Sequence, residues 1–383
     1  MGNEQHPRTA FFDEQTRRSL MRKGATGLAI ASGVAGVGGT AAGSTGGDEG
    51  DDELEEPTRA DEPAPEVQEF FDTFAEEGDP IHTLSTEEAR TAYQDLFVED
   101  VTPEEAGNAV GNVENREIPG PDDNQIPIRV YTPEGGCEPY PVTVYFHGGG
   151  WVLGGLDTHD SVARSLTNSS GAMIVSVDYR LGPENPFPAA VRDAHAATKW
   201  VMQHAEEIGA DPQRVAVGGE SAGGNLATVT ALQMRENDMP SLAHQLLVYP
   251  VATLSEPFMY PTDRGVENPY IVPEDAAWFG ERYLPYPEAA KNGYASPLYY
   301  VDDLSGLPPA TVMATGYGLW RDQSFAYAER LHDAGVDVEF LNYPALLHDV
   351  LNMEVLPDPY PDIPQAAEVF EDAGSALQAA FER

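Results

Sequence analysis

The sequence predicts an α/β fold: a mostly parallel central sheet with helices on both faces and a small helical cap. Three observations predict it. Apolar or alternating runs at 126–131, 142–146, 173–177, 215–217, 245–248, 310–314 and 336–341 read as strands. Helical stretches at 161–169, 189–208, 221–235, 322–334 and 365–381 are interleaved with them, and strands alternating with helices give a parallel sheet covered on both sides. Two small-residue turns, His147-Gly148-Gly149-Gly150-Trp151 and Gly219-Glu220-Ser221-Ala222-Gly223, each follow one of the strand runs. There is no internal repeat, and 383 residues suit one large domain with a helical extension.

At the amino terminus, Thr16-Arg17-Arg18-Ser19-Leu20-Met21-Arg22 precedes a weakly apolar Gly/Ala-rich run at 24–37 and small residues at 38–44. Paired arginines before such a run resemble a twin-arginine export signal, expected over 1–45, with cleavage near 41–44 and an exported protein as the outcome. A retained, cytoplasmic chain is the alternative. The run is too short and glycine-rich for a stable membrane span. Residues 46–65 are dominated by Asp, Glu, Gly and Pro and offer nothing to bury, so they are expected to be a disordered acidic linker.

From 66 onward the chain reads as the folded domain. Val67, Phe70, Phe71 and Phe74 recur at helical spacing, and Ser85-Thr86-Glu87-Glu88 opens a second helix with a capping residue, so 66–109 is expected to form a helical cap. An aromatic-rich insertion at 268–297, with Trp278, Phe279 and Tyr283 at helical spacing, is expected to line a pocket with it.

Composition narrows the partners. The chain carries 21 Lys and Arg against 64 Asp and Glu, a formal net charge of −43, and its lysines are Lys23, Lys199 and Lys291. A surface this acidic excludes nucleic acid as a natural partner. It repels itself at low ionic strength and is relieved at molar salt, where the Debye length falls to about 3 Å, so the composition points to a salt-adapted protein. Cys137 is the only cysteine, which rules out an intramolecular disulfide and a zinc site built on paired cysteines.

The two small-residue turns carry the chemistry. Small residues around Ser221 let the chain turn sharply from strand to helix and present the hydroxyl, which becomes a nucleophile once a base takes its proton. The glycines after His147 allow backbone N–H groups to approach a substrate closely, and Gly148, Gly149 and the N–H of Ala222 are the expected oxyanion donors. His348 is the expected base, because it lies in a loop-like stretch after the last strand run, at the sheet end where such groups converge. His332 sits on a helix, and His195, His204 and His244 flank structural segments.

Several further segments occur in one order: Asp178-Tyr179-Arg180-Leu181-Gly182-Pro183-Glu184, Phe187-Pro188-Ala189-Ala190, Ser296-Pro297, Leu307-Pro308-Pro309-Ala310, Tyr327-Ala328-Glu329-Arg330-Leu331 and Tyr343-Pro344 before His348. With the two turns, they make nearly all of the folded portion resemble the hormone-sensitive lipase family of the α/β-hydrolase fold, the microbial carboxylesterase group. The resemblance implies an esterase for small-molecule esters with short acyl chains, with no metal or cofactor, a nucleophile at Ser221 and a base at His348. It leaves oligomeric state open. It also implies that the Asp178 segment supports the oxyanion loop. Glu220, beside the nucleophile, has two readings, a buried ion pair with Arg180 or a contact with the acyl or alcohol moiety, and the ion pair is expected because a free carboxylate next to a developing oxyanion would oppose catalysis.

One position departs from the family. Its catalytic aspartate falls in Asp-Pro-Leu-Arg-Asp, where this chain reads Gly318-Leu319-Trp320-Arg321-Asp322. Glycine cannot orient an imidazole, and in a serine protease neutralising that carboxylate costs about four orders of magnitude in rate. Asp322 is the tentative acid, against a plain role as a helix-start residue; Asp349 or Asp302 are alternatives. A slow Ser–His dyad, or a non-catalytic binding protein on the same scaffold, is the remaining reading.

Overall fold

A computed structural model of the chain describes residues 53–98, 108–255, 270–354 and 356–383. The expected export signal and the first part of the acidic linker lie outside the described residues. Eight strands form one sheet: β1 Asn112–Pro119, β2 Gln125–Thr132, β3 Tyr140–Phe146, β4 Met173–Val177, β5 Ala210–Glu220, β6 Gln245–Val248, β7 Ala310–Tyr317 and β8 Val338–Leu347. Their order is β1-β2-β4-β3-β5-β6-β7-β8. The pairs β1–β2 and β2–β4 are antiparallel, and every pair from β4–β3 to β7–β8 is parallel.

The central strands were legible because they are buried on both faces: every residue of β4, β6 and β7 is buried, which gives continuous apolar runs rather than alternation. β1 is an addition to the expected strands. It is an edge strand in which only Ile118 is fully buried, so its sequence carries no apolar periodicity to read.

The described helices are α1 Pro65–Glu77, α2 Thr86–Phe97, α3 Asp160–Ser170, α4 Ala189–His204, α5 Ala222–Glu236, α6 Pro273–Tyr283, α7 Pro297–Tyr300, α8 Arg321–Asp333 and α9 Ala366–Phe381. α1 begins with proline and buries Val67, Phe70, Phe71 and Phe74 on one face. Ser85 caps α2 through a reciprocal pair: its Oγ accepts from the Glu88 N–H at 3.3 Å, and the Glu88 carboxylate accepts from the Ser85 N–H at 2.9 Å. Phe70 and Phe74 pack edge-on against Tyr270, with centroids 5.3 and 5.2 Å away, which ties the amino-terminal helices to the insertion that carries α6.

The described end of the expected linker is not a free tether. Ala60 and Ala64 donate their N–H groups to the carbonyls of Pro344 and Ala345, each at 3.0 Å, so this stretch is strapped along β8. Backbone pairing, invisible in composition, orders a segment whose side chains bury little beyond Leu54 and Ala64. Among the described residues, no helix is long and apolar enough to cross a membrane.

Candidate active site

β5 runs straight into a sharp turn at Ser221 and out into α5. Ser221 has φ 54° and ψ −117°, a conformation that costs a non-glycine residue about 1–3 kcal/mol and is found where the fold enforces it. The enforcement is visible: the Ser221 N–H donates to the Val248 carbonyl at 2.9 Å, and its own carbonyl accepts from Asn225 and Val251, each at 3.1 Å. Gly223 must be glycine, since a Cβ there would lie 1.8 Å from the Phe146 carbonyl oxygen. The hydroxyl therefore stands at the carboxyl end of the sheet, where loops from neighbouring strands converge.

His348 leaves the end of β8 and meets it. Its Nε2 lies 2.8 Å from the Ser221 Oγ. The ring is fixed between Tyr249 and Trp320, with centroids 4.6 and 4.7 Å away. Burial lowers the imidazole to about 3, so the neutral form that can accept a proton prevails. Its other nitrogen, Nδ1, is buried with no hydrogen-bond partner among the described residues.

The register of the last two strands explains that orphan. Tyr317 pairs with Leu347, so Gly318 and His348 leave the sheet side by side, and a carboxylate at 318 would have stood next to the imidazole. The tentative acid, Asp322, is not brought there. It opens α8 and pairs with its neighbour Arg321, whose Nε donates at 2.9 Å, as a helix-start residue would. Asp302 is exposed. The carboxylate that does approach is Asp349, whose Oδ1 lies 3.6 Å from the His348 Nε2.

The β3–β5 register pairs Phe146 with Gly219 and sets the glycine-rich loop beside the elbow. Gly149 (φ 92°) and Gly150 (φ 60°) occupy the left-handed region, and both line the cavity above Ser221. Gly148 departs from the expectation. Its N–H donates to the buried Glu220 carboxylate rather than facing the cavity. Gly150 takes its place at the cavity wall. Ala222 stands at the first position of α5, where backbone N–H groups have no partner within the helix.

Two supporting clusters hold this loop. The Tyr179 hydroxyl donates to the His147 carbonyl at 2.7 Å and its ring stacks on His147 at 4.3 Å, which gives the Asp178 segment its structural role. Glu220 does not pair with Arg180. It accepts from Gly148 and from the Tyr145 hydroxyl and lies 3.0 Å from His159 Nε2. Arg180 instead grips the fully buried Asp193 of α4, with Nε–Oδ2 at 2.7 Å and Nη2–Oδ1 at 2.8 Å.

The cavity over Ser221 has a volume of about 490 Å3 and apolar walls: Ile81 from the segment between α1 and α2, Ile271 and Phe279 from the insertion, Leu254, Leu284 and Trp320. Serine, imidazole and free backbone donors at the base of an apolar cavity form an arrangement that can attack an acyl group and hold the resulting oxyanion.

A family model described as the alpha/beta hydrolase fold matches residues 143–352. The chain is 41% identical over 266 residues to carboxylesterase NlhH of Mycobacterium tuberculosis, spanning 67% of this chain and 79% of that one. It is 38% identical over 218 residues to an arylesterase of Saccharolobus solfataricus, spanning 56% of this chain and 69% of that one. The solved hyperthermophilic esterase of Pyrobaculum calidifontis superposes with a TM-score of 0.73 at 33% identity, over 83% of this chain and 98% of that one. A thermostable esterase of Pseudomonas putida gives 0.75 at 33% identity, over 85% and 99%. The chain therefore belongs to the hormone-sensitive-lipase-like family of the α/β-hydrolase fold.

Proposed function

We propose that this carboxylic ester hydrolase cleaves short-chain acyl esters through an acyl-enzyme on Ser221. The 2.8 Å contact between Ser221 Oγ and His348 Nε2 at the base of the cavity carries the reading. Nε2 takes the hydroxyl proton as Oγ bonds to the ester carbonyl carbon, and the N–H groups of Gly149, Gly150 and Ala222 receive the negative oxygen. The imidazolium then returns the proton to the leaving alcohol. A water attacks the acyl-enzyme by the same route and releases the acid. The apolar walls suit the acyl chain, and a volume of about 490 Å3 favours short chains.

The charge of −43 supports salt adaptation, and the twin-arginine-like segment supports export of the folded protein. The unpartnered Nδ1 favours a turnover below that of a complete Ser–His–Asp triad. A series of 4-nitrophenyl esters from acetyl to octanoyl, assayed in molar salt and after dilution, tests all of this except export. The expected result is fastest turnover on the shorter chains, no turnover by Ser221→Ala, and loss of activity and fold on dilution. Turnover by Ser221→Ala equal to the wild type would remove the mechanism, and full activity in dilute buffer would remove the salt adaptation.

A further inference from the structure

The strand register sets Gly318 beside His348, and glycine brings no carboxylate to the buried Nδ1. A carboxylate nevertheless reaches this imidazole from its other edge. Asp349 Oδ1 lies 3.6 Å from His348 Nε2, and no other carboxylate among the described residues stands within ion-pair distance of the ring.

Asp349 is placed there with some care. Its φ of 63° is a left-handed conformation that glycine would adopt without strain and that aspartate only tolerates. Its Oδ2 accepts from the Tyr270 hydroxyl at 3.1 Å, and Tyr270 is clamped edge-on by Phe70 and Phe74 of α1. The side chain is buried yet forms part of the cavity wall that opens over Ser221.

We propose that Asp349 is the positioning residue for His348, its carboxylate stabilising the imidazolium that forms when Nε2 takes the Ser221 proton. This rests on the serine-esterase reading above. No proton passes to Asp349; in its ionised form it stays anionic while the positive charge appears beside it. In the resting site the ring is neutral and the pair carries little attraction. The attraction appears with the charge, inside a site screened from water, so it lowers the barrier rather than tightening substrate binding. The carboxylate missing at Gly318 is thereby supplied from the opposite edge of the ring. The amino-terminal helices become part of the machinery, since they hold the tyrosine that holds the aspartate.

Two variants test it, with kcat and KM on a soluble short-chain 4-nitrophenyl ester and thermal unfolding as readouts. Asp349→Asn keeps the volume and an acceptor for Tyr270 but removes the charge. Asp349→Gly removes both and relieves the backbone. Both are expected to lose on the order of 10-fold or more in kcat with KM within about twofold, and Asp349→Asn to melt no lower than the wild type. If Asp349→Asn keeps its kcat within about twofold, the inference is overturned whatever Asp349→Gly does, because only the tyrosine contact or the turn would then matter. A wild type that neither turns over ester nor reacts with a serine-directed phosphonate is a separate result: it overturns the esterase reading, and this inference with it.

Discussion

The carboxylate of Glu220, the residue just before the nucleophile, accepts the backbone N–H of Gly148 in the loop that faces it. One buried side chain thus fixes the distance between elbow and loop and decides which glycines are left to face the cavity.

A glycine scan reads that arrangement directly. A Cβ on Gly149 would lie 2.5 Å from the Leu153 carbonyl oxygen at a φ of 92°, and one on Gly150 would lie 2.2 Å from the Phe279 ring at a φ of 60°. Gly149→Ala and Gly150→Ala keep the N–H but push it out of place, and each should lose up to about 10²–10³-fold in kcat, the usual cost of one oxyanion donor. Gly148→Ala, whose Cβ would meet Glu220, Oε1 nearest at 3.1 Å, should lose less than about 10-fold. Equal losses at all three positions would return Gly148 to the oxyanion hole.

Gly318→Asp should raise kcat by about 10-fold or more, with the full effect of such a carboxylate near four orders of magnitude as the ceiling. Its Cβ would lie 2.5 Å from the Thr315 Oγ1, the end of a side chain that can turn away. The gain should be larger in an Asp349→Asn background, where the imidazolium has no other counter-charge. Steady-state kinetics of the two single variants and the double variant check both statements, and identical gains in the two backgrounds would mean the carboxylates do not substitute for one another.

The pH profile separates the two groups. Burial first, and the Glu220 charge second, push the Asp349 carboxyl up to about 7, while His159 and the Tyr270 hydroxyl pull the other way. Tyr93 and Tyr249 also face it, and their hydroxyls are held protonated far above this range. With His348 lowered to about 3, the base is free throughout the neutral range, so a rise of kcat through about 7 belongs to ionisation of Asp349. Asp349→Asn should flatten that limb. The stability contribution runs the opposite way: the folded state holds a proton that the unfolded chain has released, so it is present below 3.8 and lost as pH rises through about 7.

Asp193 is fully buried and forms an ion pair with Arg180. Arg180→Met leaves that carboxylate unpaired and should lower stability by about 3–5 kcal/mol, read as a fall in the denaturation midpoint in molar salt. A change within about 0.5 kcal/mol, the size of an ordinary surface substitution, would mean that water or another cation reaches Asp193.

Much of this was legible in the residue string, for reasons that can be named. The meeting of Ser221 and His348 could be anticipated because an elbow needs small neighbours such as Gly223 and a strand end brings a side chain to the sheet's edge, and both rules act over a few residues. The central strands could be read because β4, β6 and β7 are buried on both sides. What escaped depended on partners distant in sequence. Glu220 is 72 positions from Gly148, and nothing near either residue announces the bond between them. Arg180 and Asp193 are 13 apart, across a turn of unpredictable path. The empty acid position was plain at Gly318, but Asp322 and Asp349 could be ranked only once the β7–β8 register and the Tyr270 contact were known. β1 and the strap at Ala60 and Ala64 rest on backbone pairing, which leaves little trace in side-chain pattern.

The most direct test of the central claim is intact-protein and peptide mass spectrometry on enzyme acid-quenched during turnover of a short-chain ester. The account predicts an acyl adduct on the peptide carrying Ser221, absent in Ser221→Ala and poorly formed in His348→Ala. Rapid hydrolysis with no adduct at any time point, or an adduct on another residue that survives in Ser221→Ala, would contradict it.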